Sequence, residues 1–98
     1  MEITLSSVKI EHEYGISVIT GTQIRAARAL LRWSAEKAAK RCGLVARTVE
    51  RLEQHEGIPP SRSQTLVDLQ RTFEAAGVEF IGTPEEGPGV RLWRKPTH

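Results

Sequence analysis

The sequence predicts a mainly α fold: four helices followed by a C-terminal β-hairpin. Three observations predict it. Apolar residues recur at helical spacing through residues 20–77. Caps and breakers divide that stretch into four pieces. After Gly77 two short β-like runs flank a turn-rich loop.

The elements follow in order. Residues 1–19 form an N-terminal segment. Ile3, Leu5, Val8 and Ile10 alternate partially, which fits either one short strand or a disordered terminus. Thr20-Gly21-Thr22-Gln23 fits a capping box, with Gln23 at the third helical position and Ile24, Ala27 and Leu31 facing inward. Ser34 is the N-cap of a second helix that Gly43 ends. A third helix is predicted over residues 46–55, with Val49 and Leu52 inward. Gly57-Ile58-Pro59-Pro60 breaks the chain. Ser63 is the expected cap of a fourth helix carrying Leu66, Leu69, Phe73 and Ala76 on one face. Gly77 stops it, and Val78 packs back on its last turn.

Residues 78–98 are then read as a hairpin and tail. The strands are residues 78–81 and 90–93, around a loop rich in Gly, Pro and Glu. Phe80 and Leu92 share one face, Ile81 and Trp93 the other. Two apolar faces on a two-stranded hairpin need two covers. The helical core is one; the N-terminal segment or a second subunit is the other.

Bulk properties bound the function. A chain of 98 residues, 39% hydrophobic and 27% charged, suits one soluble domain with a modest core. No apolar run approaches the roughly 18 residues needed to span a bilayer, so no membrane role is expected. The first residues lack the pattern of a signal peptide, and the single Cys42 forms no internal disulfide. A reducing, cytoplasmic location is the expectation. Net charge is only +2, but residues 20–55 hold eight Lys/Arg against three acids, a balance of +5. Confinement of positive charge to one segment suits a phosphate-binding surface.

The informative stretch is residues 35–54. Two short helices meet there at a sharp angle. Ala39 is the small residue at the crossing, and Gly43 tolerates the positive φ of the turn. With Leu44, Val49 and Leu52 beneath, Ala46, Arg47, Glu50 and Arg51 are left facing out. That face is narrow enough to enter a major groove about 12 Å wide.

These residues resemble the helix-turn-helix of the phage-repressor-like, or Xre/Cro-like, family of bacterial regulators, over about residues 20–77. In that family an Arg of the first helix commonly meets a Glu at the end of the recognition helix. Arg28 and Glu53 occupy those positions. The chain departs from the family at Ala35, where Gln is frequent, at Val45, where a Ser or Thr cap is frequent, and at Ala38, where a larger apolar residue is common.

The resemblance implies a lambda-repressor-like bundle and the following roles. Ala46, Arg47, Glu50 and Arg51 face base edges. Arg47 or Arg51 takes guanine O6 and N7, and Ala46 touches a thymine methyl. Glu50 either accepts from cytosine N4 or is simply an exposed helix-favouring residue. Ser34, Thr48 and Gln54 contact phosphates, aided by the backbone N–H groups of Ala35 and Glu36, with Lys37 and Arg62 as further phosphate candidates. Arg28 and Glu53 form a structural pair that fixes the angle of presentation.

The remaining chemistry-bearing residues point elsewhere or nowhere. Cys42, just before the turn glycine, reads as a small packed thiol. His12, His55 and His98 are scattered, so neither a metal nor a cofactor is expected. Trp33 is expected between the first two helices, and Trp93 at an interface or hairpin cover. There is no phosphate loop and no nucleophile motif, so no enzyme is expected. Ser61 and Ser63 lie near His55 in sequence, but cap and proline chemistry account for them.

The expected function is that of a sequence-specific transcriptional regulator binding double-stranded DNA. Repression from a palindromic operator by a homodimer is the form expected, with half-sites about 34–36 Å apart. The N-terminal segment or the hairpin with Trp93 would form the dimer. Two alternatives stand beside it: the DNA-binding antitoxin of a toxin–antitoxin pair, whose partner is a small protein toxin, and a protein-interaction module that kept the fold but lost DNA binding.

Overall fold

A computed structural model describes residues 19–93. The strand considered for residues 1–19 therefore lies, apart from Ile19, outside the described residues. Four helices precede a two-stranded antiparallel sheet: α1 (Gly21–Leu31), α2 (Ala35–Cys42), α3 (Ala46–Glu53), α4 (Ser63–Ala75), β1 (Val78–Ile81) and β2 (Gly89–Leu92). The described residues are thus mainly α with a C-terminal hairpin, and none of their helices is long and apolar enough to cross a membrane.

Local chemistry sets most boundaries. At α1 the Thr20 hydroxyl accepts from Gln23 N–H at 3.0 Å, and Gln23 Oε1 accepts from Thr20 N–H at 2.9 Å, a complete capping box. Ser34 caps α2 in the same way, accepting from Lys37 N–H. Gly43 ends α2 in the left-handed region at φ 77°, directing N–H groups back to Ala39 and Lys40. These three helix ends are satisfied by groups only a few residues away, which is why they were readable from sequence.

Three boundaries differ from expectation. α3 stops at Glu53 rather than near His55, because Gln54 and His55 turn their N–H groups onto Arg51 and Leu52. Ser63 is the first residue of α4 and not its cap; Arg62 holds the cap position without a side-chain hydrogen bond. The second strand is shifted back by one residue, since Ile81 pairs with Gly89 and Val78 with Leu92.

The core is one cluster shared by all elements. Ile24, Ala27 and Leu31 from α1 meet Ala38 and Ala39 from α2, Val49 and Leu52 from α3, and Leu66, Leu69 and Phe73 from α4. Val78 joins them, and Phe80, Val90 and Leu92 pack against them, so the inner face of the hairpin belongs to the helical core. Trp33 is buried against α4 rather than only between α1 and α2: its ring lies 5.8 Å from Phe73, which lies 6.2 Å from Phe80. Arg41 and Lys37 of α2 cover the outer side of that indole, at 4.9 and 5.7 Å from its centroid.

One side chain ties the sheet to the helices. Gln23 Nε2 donates to Ile81 O at 3.1 Å and Gly89 O at 2.9 Å. The residue that closes the α1 cap thus also clamps the loop end of the hairpin.

Candidate nucleic-acid interface

The site is built around α3, and its rear is fixed first. Val49 and Leu52 are fully buried. Arg28 of α1 grips Glu53 in a two-pronged pair, Nε to Oε2 at 2.7 Å and Nη2 to Oε1 at 2.9 Å. Its remaining nitrogen, Nη1, donates to Trp33 O at 3.0 Å. One guanidinium therefore joins α1, the α1–α2 connection and the end of α3. Glu53 is almost wholly buried, so the pair leaves no room for either partner to be lost without exposing an uncompensated charge. The hydrogen bonds of Glu53 hold the Arg28 guanidinium protonated more firmly than usual; burial opposes this, and the charges of Glu53 and Glu50 add to it.

A second rear contact is steric. Gly21 sits where α1 begins against the end of α3, and its N–H donates to Gly57 O at 3.0 Å. A Cβ there would stand 2.2 Å from the carbonyl oxygens of both Leu52 and His55. Only glycine allows this approach.

The front of α3 is left bare. At about 100° per residue, Arg47, Gln54 and Arg51 fall within about 60° of one another, opposite Val49 and Leu52. All three are exposed. Glu50 is exposed too, but it stands about 60° round from Arg47. It lines a polar cleft of about 580 Å³ with Thr22 and Arg25 of α1, Glu53, Gln54, His55 and Glu56. Glu50, like Gln54, therefore stands at the border between the exposed ridge and the flank facing α1. Ala46 and Thr48 are half-buried in the first turn.

Val45 is the residue that sequence reasoning missed as a surface feature. It occupies the N-cap of α3, makes no cap bond, and is 65% exposed. Its carbonyl accepts from Thr48 and Val49. No bond within the helix serves the first N–H groups of α3, at Ala46 and Arg47. The signal was available: an apolar residue in a cap position, one residue beyond the turn that Gly43 and Leu44 make, has no place to bury.

The start of α2 offers a complementary feature. Ser34 and Glu36 are exposed, and Ala35 and Lys37 are half-buried. The Ser34 oxygen is used as an acceptor by Lys37 N–H, which leaves its hydroxyl proton to donate outward. Lys37 lies over Trp33, so its ammonium is tethered near the helix instead of fully extended. Arg62 is exposed at the start of α4.

Cys42 is half-buried, and burial pushes its thiol up, with Asp68 adding and a hydrogen bond with Thr72 opposing. That is the setting of an unreactive thiol. No group of three or more metal-ligating side chains occurs among the described residues. Comparison of the sequence with protein-family models and with curated proteins finds no match.

Proposed function

We propose that the protein is a sequence-specific DNA-binding regulator of the helix-turn-helix type that lays α3 in the major groove. It acts in the cytoplasm as a homodimer on a two-fold-symmetric operator, repressing by occupancy. The observation that carries this reading is the contrast on α3. Its rear is locked by Val49, Leu52 and the Arg28–Glu53 pair, while Arg47 and Arg51 are exposed on the opposite side. A rigid helix presenting two forked cationic donors has the requirements for bidentate contact with guanine.

The roles divide by position. Arg47 and Arg51 read base edges. Val45 and Ala46 present apolar surface to a thymine methyl. Ser34, the free N–H groups at the start of α2, Thr48 and Gln54 hold phosphates and set the register. Glu50, turned toward Arg25 and Arg28, orients the α1 flank and does not read a base.

Selection of bound fragments from a random DNA pool, followed by a salt titration, tests the reading. A symmetric enriched motif is expected, with affinity falling steeply as salt rises. Arg47→Ala and Arg51→Ala should each cost about 1–3 kcal/mol and relax preference at one base pair. The exposed, uncapped Val45 favours one alternative, an interaction module without DNA binding. That alternative wins if no DNA is bound at low salt, or if Arg47→Ala leaves binding unchanged.

A further inference from the structure

We propose that the outer face of the β-hairpin is where a second copy of this chain docks, related by a two-fold axis. The inference deepens the regulator reading by assigning the pairing it requires, but its grounds are the hairpin's own geometry.

The register places Phe80, Val78, Val90 and Leu92 on the inner face, against the core. The outer face then carries Glu79 opposite Arg91 and Ile81 opposite Gly89, with Trp93 continuing the row. Trp93 N–H donates to Gly77 O at 2.7 Å, so this tryptophan is held in line with the strand although it is 65% exposed. The Arg91 guanidinium lies 5.5 Å from the Trp93 ring. Arg91 Nε also lies 3.3 Å from Glu79 Oε1, yet no N–H is aligned to bond that oxygen. The pair is loosely made, and both side chains remain partly open, 56% and 38% exposed.

This pattern selects its occupant. One acid and one base at the middle of the strip make it neutral, so it does not attract phosphates or favour a strongly charged protein. A two-fold axis through that point brings Glu79 of each copy to Arg91 of the other. The apolar ends, Ile81 and Trp93, then cover each other. A self-complementary patch of this kind is what an isologous interface requires. The strip is only about 13 Å long at roughly 3.3 Å per residue, smaller than the ~800 Å² per partner of a standard interface. The pairing is therefore weak in free protein and strengthened when two adjacent half-sites hold both copies. The Gln23 clamp fixes the hairpin to α1, and Arg28 fixes α1 to α3, so joining hairpins also sets the separation of the two α3 helices.

Sedimentation of the full chain over a concentration series, without DNA, tests the proposal. The wild type should self-associate reversibly. Trp93→Glu should weaken that association at least tenfold with unchanged helical circular dichroism. Glu79→Arg and Arg91→Glu should each be monomeric alone and form a heterodimer when mixed. A wild type that stays monomeric throughout overturns the proposal. So does a dimer indifferent to Trp93→Glu, or a failure of the two charge variants to recover on mixing. A monomer whose Trp93 resists acrylamide quenching means that the chain's own residues cover the face, which overturns it equally. Because no DNA is present, a monomer that still binds its operator sinks this inference alone. A dimer that binds no DNA sinks only the regulator reading.

Discussion

The two ends of α3 are built on opposite principles. Its C-terminal end is over-determined. Glu53 is buried and held twice by Arg28, and Gly21 presses α1 against the carbonyls of Leu52 and His55. Its N-terminal end is under-determined: Val45 stands exposed at an uncapped start, followed by exposed Arg47. The difference teaches where this small domain invests its specificity of structure. Orientation is fixed from behind by a buried ion pair and a close helix contact. The front keeps an uncapped start and exposed side chains.

On that contrast, the most damaging change lies at the rear. Arg28→Ala leaves the buried Glu53 carboxylate uncompensated and should cost about 3–5 kcal/mol. Chemical denaturation measures it, and a loss below about 1 kcal/mol would reduce the pair to an ordinary surface bridge. Gly21→Ala comes next. Its methyl meets two backbone carbonyls that cannot rotate away, so the helices must separate, at a cost of about 1–3 kcal/mol. A melting temperature equal to that of the wild type would show that the α1–α3 contact is loose.

A smaller effect is expected where the two principles meet the hairpin. Gln23→Ala removes half of the capping box and both bonds to Ile81 O and Gly89 O. About 1–2 kcal/mol should be lost. Amide exchange should rise at the hairpin as well as at the start of α1; faster exchange at α1 alone would mean that Gln23 is only a cap.

The smallest change probes the front and has the opposite sign. Val45→Ser supplies the missing cap and should stabilise the fold by about 1 kcal/mol. If the bare start of α3 serves DNA, operator affinity should fall while stability rises. Both moving upward together would mean that the uncapped end is a defect and not a surface kept free.

Much of this was legible in the chain because it is local. Thr20 and Gln23 lie three residues apart, as do Ser34 and Lys37, and each pair makes its bonds within one turn. Gly43 adopts the positive φ that ended α2 as expected. Of the inward positions, Ile24, Ala27, Leu31, Val49, Leu52, Leu66, Leu69 and Phe73 are buried, since a 3.6-residue period leaves one stripe to hide, while Leu44 and Ala76 are half-buried at the edge of the core. Ser63 misled because a serine near a helix start is equally able to stand inside the first turn.

What the amino-acid order determined by itself, then, is the number of helices, the caps at Thr20, Ser34 and Gly43, and most of the residues the helices bury. These depend on bonds and stripes within single elements. Only the tertiary structure decided that Glu50 borders a cleft against α1, that Trp33 leans on Phe73, and that Gln23 clamps a hairpin some sixty residues away. Each of those depends on how remote elements approach one another, and that approach is set by the shared core and by one guanidinium, Arg28, that joins three parts of the chain.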